Sequence, residues 1–118
     1  MSIGVWGERR AVKYLETKGF TVLESNFRCR VGEIDIVARE GDDLVFAEVK
    51  TRADLLYGLP CEAVDERKQR QISRVAEVYL ATRAGRAGYT EDMRPRFDVI
   101  EILILGGRAY IRHIRDAF

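Results

Sequence analysis

From Gly4 to about Lys18 the apolar positions recur at helical spacing. Val5, Val12 and Leu15 form the stripe, with Trp6 and Ala11 beside it, and Gly19 is a natural C-cap. The period then changes from 3.6 to 2. Phe20 to Phe27 is rich in Thr, Val and Phe and reads as a strand, and Arg28, Cys29 and Arg30 lead into a turn at Gly32. Two further strands follow, Glu33 to Arg39 and Leu44 to Thr51. "ADLLYGLPCEAV" is a loop punctuated by Gly58 and Pro60. Asp65 is placed to cap a second helix of about 18 residues, with Ile72, Val75, Ala76, Tyr79 and Leu80 as its apolar stripe. "RAGRAGYTEDMRP" is glycine-rich and charged, hence a loop. Phe97 to Leu105 is an apolar strand, Gly106-Gly107 a hairpin turn, and Arg108 to Ile114 the returning edge strand. The expected order is α-β-β-β-α-β-β, an α/β fold with a mixed sheet flanked by helices, in a single domain spanning 1–118.

The central hairpin, "GEIDIVAREGDDLVFAEVK", is dense in charge for two strands. Glycine first in Gly41-Asp42 suits a type II′ turn. That turn pairs Glu40 with Asp43 and sets a register in which partner numbers sum to 83. Ile34, Ile36, Ala38, Val45, Ala47 and Val49 then share one apolar face directed at the core. The other face pairs Val37 with Phe46 and Arg39 with Leu44, and gathers Glu33, Asp35, Glu48 and Lys50 at one end. Asp35 falls opposite Glu48, with Cβ atoms about 5 Å apart, a like-charge pair that sheets avoid. A divalent cation shared by the two carboxylates would relieve the repulsion. Lys50 lies two residues from Glu48 and so points to the same side. There an ammonium could orient a water and stabilise charge developing on a phosphate. The Val49 carbonyl could add an oxygen ligand. Alternating Glu and Lys on a strand is also a common solvated ladder, so the spacing leaves both readings open.

Composition and charge narrow the class. The 118 residues are 47% hydrophobic and 33% charged, as in a soluble globular chain with its own core. No apolar run approaches a membrane span, and the first residues show no secretory pattern. With two cysteines, Cys29 and Cys61, in no CxxC spacing, a disulfide framework or zinc site is not expected, and the cytoplasm is the expected setting. The only histidine, His113, reads as an ordinary strand residue, which argues against chemistries that need two or more histidines. Net charge is only +1, but arginine clusters locally: Arg67, Arg70, Arg74, Arg83 and Arg86 follow Asp65, together with Lys68. Arginine suits bidentate phosphate contact, although charge runs also solvate helix faces.

Several segments, in order and at matching spacing, carry a family resemblance over nearly the whole chain. They are "WGERRAVKYLETKGF", "NFRCRVGEIDIVARE", "LVFAEVKTR", "YGLPCEAVDERKQRQI" and "RFDVIEI". They resemble a bacterial family of small YraN-like, Holliday-junction-resolvase-related proteins within the PD-(D/E)xK nuclease superfamily. The resemblance implies a restriction-endonuclease-like fold with Asp35, Glu48 and Lys50 as the triad. It implies that the carboxylates bind Mg2+ or Mn2+ and that Lys50 helps activate the attacking water. Glu8 matches a helix glutamate that approaches the same metal in related nucleases; from the residues alone it equally fits a solvent position. Gln69 or Gln71, according to helix phase, matches a glutamine contacting water or phosphate. One departure is that Ile34, not proline, precedes the first acid.

The leading expectation is therefore a metal-dependent endonuclease acting on DNA, with branched or damaged DNA as candidate forms. Asp35, Glu48, Glu8 and the Val49 carbonyl are the candidate ligands, and Glu33 supports them. Arg28, Arg30, Arg52, Arg67, Lys68 and Arg70, with the glutamines, are candidate nucleic-acid contacts. These give affinity and not sequence readout. Symmetric branched substrates would favour a homodimer. The rivals are a nucleic-acid-binding module that does not cut and an interaction protein whose hairpin charges are merely solvated.

Overall fold

The computed structural model describes residues 2–53, 64–83 and 92–118. The loop readings centred on Gly58 and Pro60, and the glycine-rich stretch before Asp92, lie outside them. Helix α1 spans Ile3–Thr17 and helix α2 Glu66–Arg83. The strands are β1 (Thr21–Cys29), β2 (Gly32–Glu40), β3 (Asp43–Arg52), β4 (Arg94–Leu105) and β5 (Arg108–Ile114). They form one sheet in the order β1-β2-β3-β4-β5. Neighbours are antiparallel except β3 and β4, which run parallel and so need the crossover that contains α2. The predicted element order stands.

Local chemistry sets the helix ends. Ser2 Oγ accepts the Val5 N–H at 3.1 Å and opens α1. At the other end Gly19 has φ +92, its N–H donates to Glu16 O at 3.1 Å, and the Phe20 N–H donates to Leu15 O at 3.0 Å. This is a Schellman close, which glycine permits because it has no Cβ to clash. Asp65 Oδ1 accepts the Lys68 N–H at 2.8 Å, so the expected cap of α2 is present, and α2 has 18 residues.

The sheet is covered on both faces. On one side α1 packs over Ile36, Ala38, Val45, Ala47, Ile100 and Ile102. On the other, Ile72, Val75, Ala76 and Tyr79 of α2 pack over Phe27, Val37, Leu44, Phe46 and Val99. Burial of each large apolar side chain here contributes roughly 1.5–3 kcal/mol. The α2 stripe is as predicted, with Leu80 at its margin. The α1 stripe holds at Ala11 and Leu15, with Trp6 and Val12 packed beside them, and fails at Val5. Gly7, Ala11 and Leu15 are the buried positions, and Val5 is exposed. The helix lies so close to β3 that a Cβ on Gly7 would stand 1.8 Å from Thr51 Oγ1. Contact is made through the smallest residue, which a search for bulky apolar positions passes over.

The hairpin register is the predicted one, from Glu40 with Asp43 up to Ile36 with Ala47. Gly41 has φ +58, and Asp42 is not among the positive-φ residues, as type II′ requires. The predicted face needs one correction: Ile34 packs with Phe27 and Val37 in the α2 cluster and not with Ile36. Side-chain alternation therefore breaks at Asp35. The opposite face is also more buried than expected, since Val37, Leu44 and Phe46 are almost wholly enclosed.

His113 is not an ordinary strand residue. Its Nε2 lies 2.7 Å from Asp98 Oδ2 and its Nδ1 3.1 Å from the Tyr14 hydroxyl. Arg96 grips the same carboxylate with two nitrogens at 2.9 and 2.8 Å, and the Asp116 N–H donates to it at 3.0 Å. Burial would raise the Asp98 pKa, but the bonds from His113, Arg96 and Asp116 outweigh it and hold the group at about 2. Arg96 also reaches Glu40 and Asp43. This network ties α1, β2, β3, β4 and β5 together at the turn end of the hairpin.

Candidate functional site

The other end of the hairpin holds the predicted acids. The ladder between β2 and β3 ends at Ile36 and Ala47. Beyond it, Asp35 Oδ2 accepts the Val49 N–H at 2.8 Å. A side-chain carboxylate thus takes the place of a backbone acceptor, and the break in alternation follows from turning Asp35 toward β3. Asp35 is 8% exposed. The Glu48 side chain is 17% exposed, with Lys68 Nζ 3.8 Å from its Oε1.

Both acids are held protonated more readily than usual. Burial is the main cause for Asp35; the Val49 N–H opposes it, while the charges of Glu8 and Glu33 add to it, and the pKa rises to about 6. For Glu48 burial comes first and the Asp35 charge second, partly offset by Lys68 and Lys50, and the pKa rises to about 7. Two carboxylates disfavoured by desolvation and by neighbouring acids, Glu8 and Glu33 for Asp35 and Asp35 for Glu48, are short of positive charge. Among the described residues no group of three or more His, Cys, Asp or Glu is spaced to hold a metal. A hard cation such as Mg2+, which keeps several waters and needs only one or two carboxylates, suits the Asp35–Glu48 pair.

The remaining predicted residues fall into three places. Glu8 is half-buried and lines a groove of about 400 Å3 with Asp35, Arg9, Ser25 and Asn26, so it lies on the Asp35 side of the pair. Arg67, Lys68, Arg70, Gln71 and Arg74 line a second groove, of about 500 Å3, with Val31 and Asp65. Gln71 Nε2 donates to Val31 O at 3.2 Å, whereas Gln69 Nε2 is turned back to Val64 O at 2.7 Å. The helix phase therefore favours Gln71. Of the other arginines, Arg28 pairs with Glu33 at 3.0 Å on the surface, Arg30 is exposed, and Arg52 is half-buried with its Nε enclosed. Arg74 was absent from the predicted contacts. Its spacing of seven from Arg67, two helical turns, is the signal that would have found it.

The groove sits at the first turns of α2, where the helix dipole adds to the charge of its arginines, although the Asp65 cap already takes the Lys68 N–H. The site thus places a basic, anion-favouring groove on the α2 side of an acidic pair. Lys50 lies two residues along β3 from Glu48 and partly offsets its charge.

Helix, three strands, crossover helix and two strands around an acidic pair define a restriction-endonuclease-like α/β protein. The chain belongs to the uncharacterised protein family UPF0102, the YraN family, whose model matches residues 7–102. Among its relatives, a UPF0102 protein of Geobacter sulfurreducens is 51% identical over 117 residues, covering 98% of this chain and 88% of its own. One of Geobacter metallireducens is 50% identical over 117 residues, covering 99% and 92%. One of Caldanaerobacter subterraneus subsp. tengcongensis is 41% identical over 120 residues, covering 99% and 94%. No helix among the described residues is long and apolar enough to cross a membrane.

Proposed function

We propose that this protein is a divalent-metal-dependent nuclease that hydrolyses phosphodiester bonds in DNA. The observation that carries the reading is the desolvated Asp35–Glu48 pair, with pKa values of about 6 and 7, beside Lys68 and on the strand that bears Lys50. Asp35 and Glu48 would hold Mg2+ or Mn2+, with Glu8 and the Val49 carbonyl completing the set. The bound ion would supply Lewis acidity and a more acidic water. Lys50 orients the attacking water and offsets negative charge as the P–O bond to water forms and the bond to the leaving oxygen breaks. Arg67, Lys68, Arg70, Gln71 and Arg74 hold the flanking phosphates, a role that needs charge but no base reading.

The test is Mg2+- and Mn2+-dependent cleavage of a panel of branched, single-stranded and duplex DNA, with matched RNA. Wild type is expected to cut a DNA member, and Lys50→Ala to abolish cutting while binding persists. Failure on the whole panel would sink the nuclease reading. The basic groove would then favour the second reading, a nucleic-acid-binding module that does not cut, measurable as binding that weakens steeply with salt. In the symmetric-substrate version two copies would act together, and sedimentation with and without junction DNA reads that directly.

A further inference from the structure

Glu101 is 1% exposed, and neither carboxylate oxygen has a hydrogen-bond partner. A buried carboxylate without a partner is costly, and its presence in a native fold asks for a reason. On β4, Phe97 and Val99 pack in the α2 cluster, so strand alternation puts Glu101 on that face too. Its partner on β3 is Lys50 and its partner on β5 is Arg112. Lys50 continues the β3 row that runs through Phe46 and Glu48. A buried carboxyl group without a hydrogen-bond partner is therefore set directly beside Lys50, the residue proposed above to orient the water.

We propose that Glu101 is a positioning residue for Lys50, receiving its ammonium when Asp35 and Glu48 are occupied by a divalent ion. This rests on the metal-site reading above. In the free protein the Glu48 carboxylate and the Lys50 ammonium attract each other. Two positive charges placed on Glu48 reverse that and drive the ammonium away. The cross-strand Glu101 carboxyl group, in register with Lys50, offers it a buried acceptor and keeps it aligned at the edge of the site. Arg112 is exposed, where solvent screens its charge, which makes it the weaker claimant.

The test reads the ammonium itself. In 15N-labelled protein the Lys50 side-chain NH3+ signal, assigned by its loss in Lys50→Arg, is followed during Mg2+ titration. In wild type it should sharpen as Mg2+ binds, because a held ammonium exchanges protons slowly. In Glu101→Gln and Glu101→Leu it should not, while Mg2+ affinity by calorimetry is unchanged. Both variants remove a buried carboxyl group that has no hydrogen-bond partner and should fold at least as well as wild type. On DNA that wild type cleaves, Glu101→Gln should lower kcat about 10–100-fold with KM unchanged, the usual cost of losing an outer-shell partner. Glu101→Asp should fall between. A Lys50 signal that responds alike in wild type and variants overturns the proposal, as does wild-type kcat in Glu101→Gln. A responsive signal in a protein that cleaves nothing supports the pair and counts against the nuclease reading alone.

Discussion

Replacing Asp35 with asparagine should make the protein more stable at neutral and alkaline pH. In the folded state the carboxyl titrates at about 6 instead of 3.8, chiefly because it is buried and also because Glu8 and Glu33 repel its charge. A raised carboxylate pKa opposes folding. The cost is absent below about pH 3.8, where both folded and unfolded forms are protonated. It grows between 3.8 and 6 and is complete above 6. A shift of about two units corresponds to about 3 kcal/mol, and coupling to Glu48 brings the expected gain nearer 2 kcal/mol. Asparagine keeps an oxygen to accept the Val49 N–H, so little is lost in return. For a domain of this size that is roughly 6–10 °C in Tm. The assay is thermal unfolding of wild type and Asp35→Asn at pH 8 and at pH 4. The difference should be present at pH 8 and absent at pH 4. Saturating Mg2+ should raise wild-type Tm at pH 8 and leave the variant nearly unmoved. A variant no more stable than wild type at pH 8, or equally stabilised at both pH values, would refute the reasoning.

Four other outcomes are expected. Gly7→Ala should destabilise by about 1–2 kcal/mol, the overpacking at Thr51 exceeding the helix-propensity gain, and Thr51→Ala should recover most of it in denaturant titrations. The Asp98 network should melt in acid. Its pKa of about 2 lies below the ordinary 3.8, so its stabilisation is complete above 3.8 and is lost as pH falls toward 2, about 2 kcal/mol in all, readable as a falling Tm over that window. Arg70→Ala and Arg74→Ala should each weaken DNA binding across sequences and lower the salt slope by about one, by fluorescence anisotropy at several salt concentrations. Lys50→Ala removes a charge that partly offsets Glu48, so its Tm should fall modestly while the melt stays cooperative; a single sharp transition above the assay temperature separates lost cleavage from lost fold.

How much of this could be read from residues depends on how local the cause is. The Gly41-Asp42 turn fixed the register of Glu40 with Asp43 and of every pair up to Ile36 with Ala47, because a two-residue loop leaves the strands no slack. Asp65 and the Ile72 to Tyr79 stripe were equally local. Ile34 was misplaced because its direction depends on Asp35 turning to meet Val49, a contact 14 positions away. The Asp98–His113–Tyr14 bonds join three elements separated by up to 99 positions, and no spacing within one strand announces them. Nothing in the spacing of the Phe97 to Leu105 strand singles out Glu101; only its enclosure and its place beside Lys50 do.

The two-sided packing of the sheet has a consequence for cooperativity. Glu8 comes from the α1 layer, Lys68 from the α2 layer, and Asp35 and Glu48 from the sheet between them. Neither layer alone assembles the site, although each buries its own apolar cluster. A cation or phosphate bound there would therefore act as a fastener between the two hydrophobic layers on opposite faces of the sheet. Amide hydrogen exchange should slow in both helices together on binding, even though only a few residues of each touch the ligand.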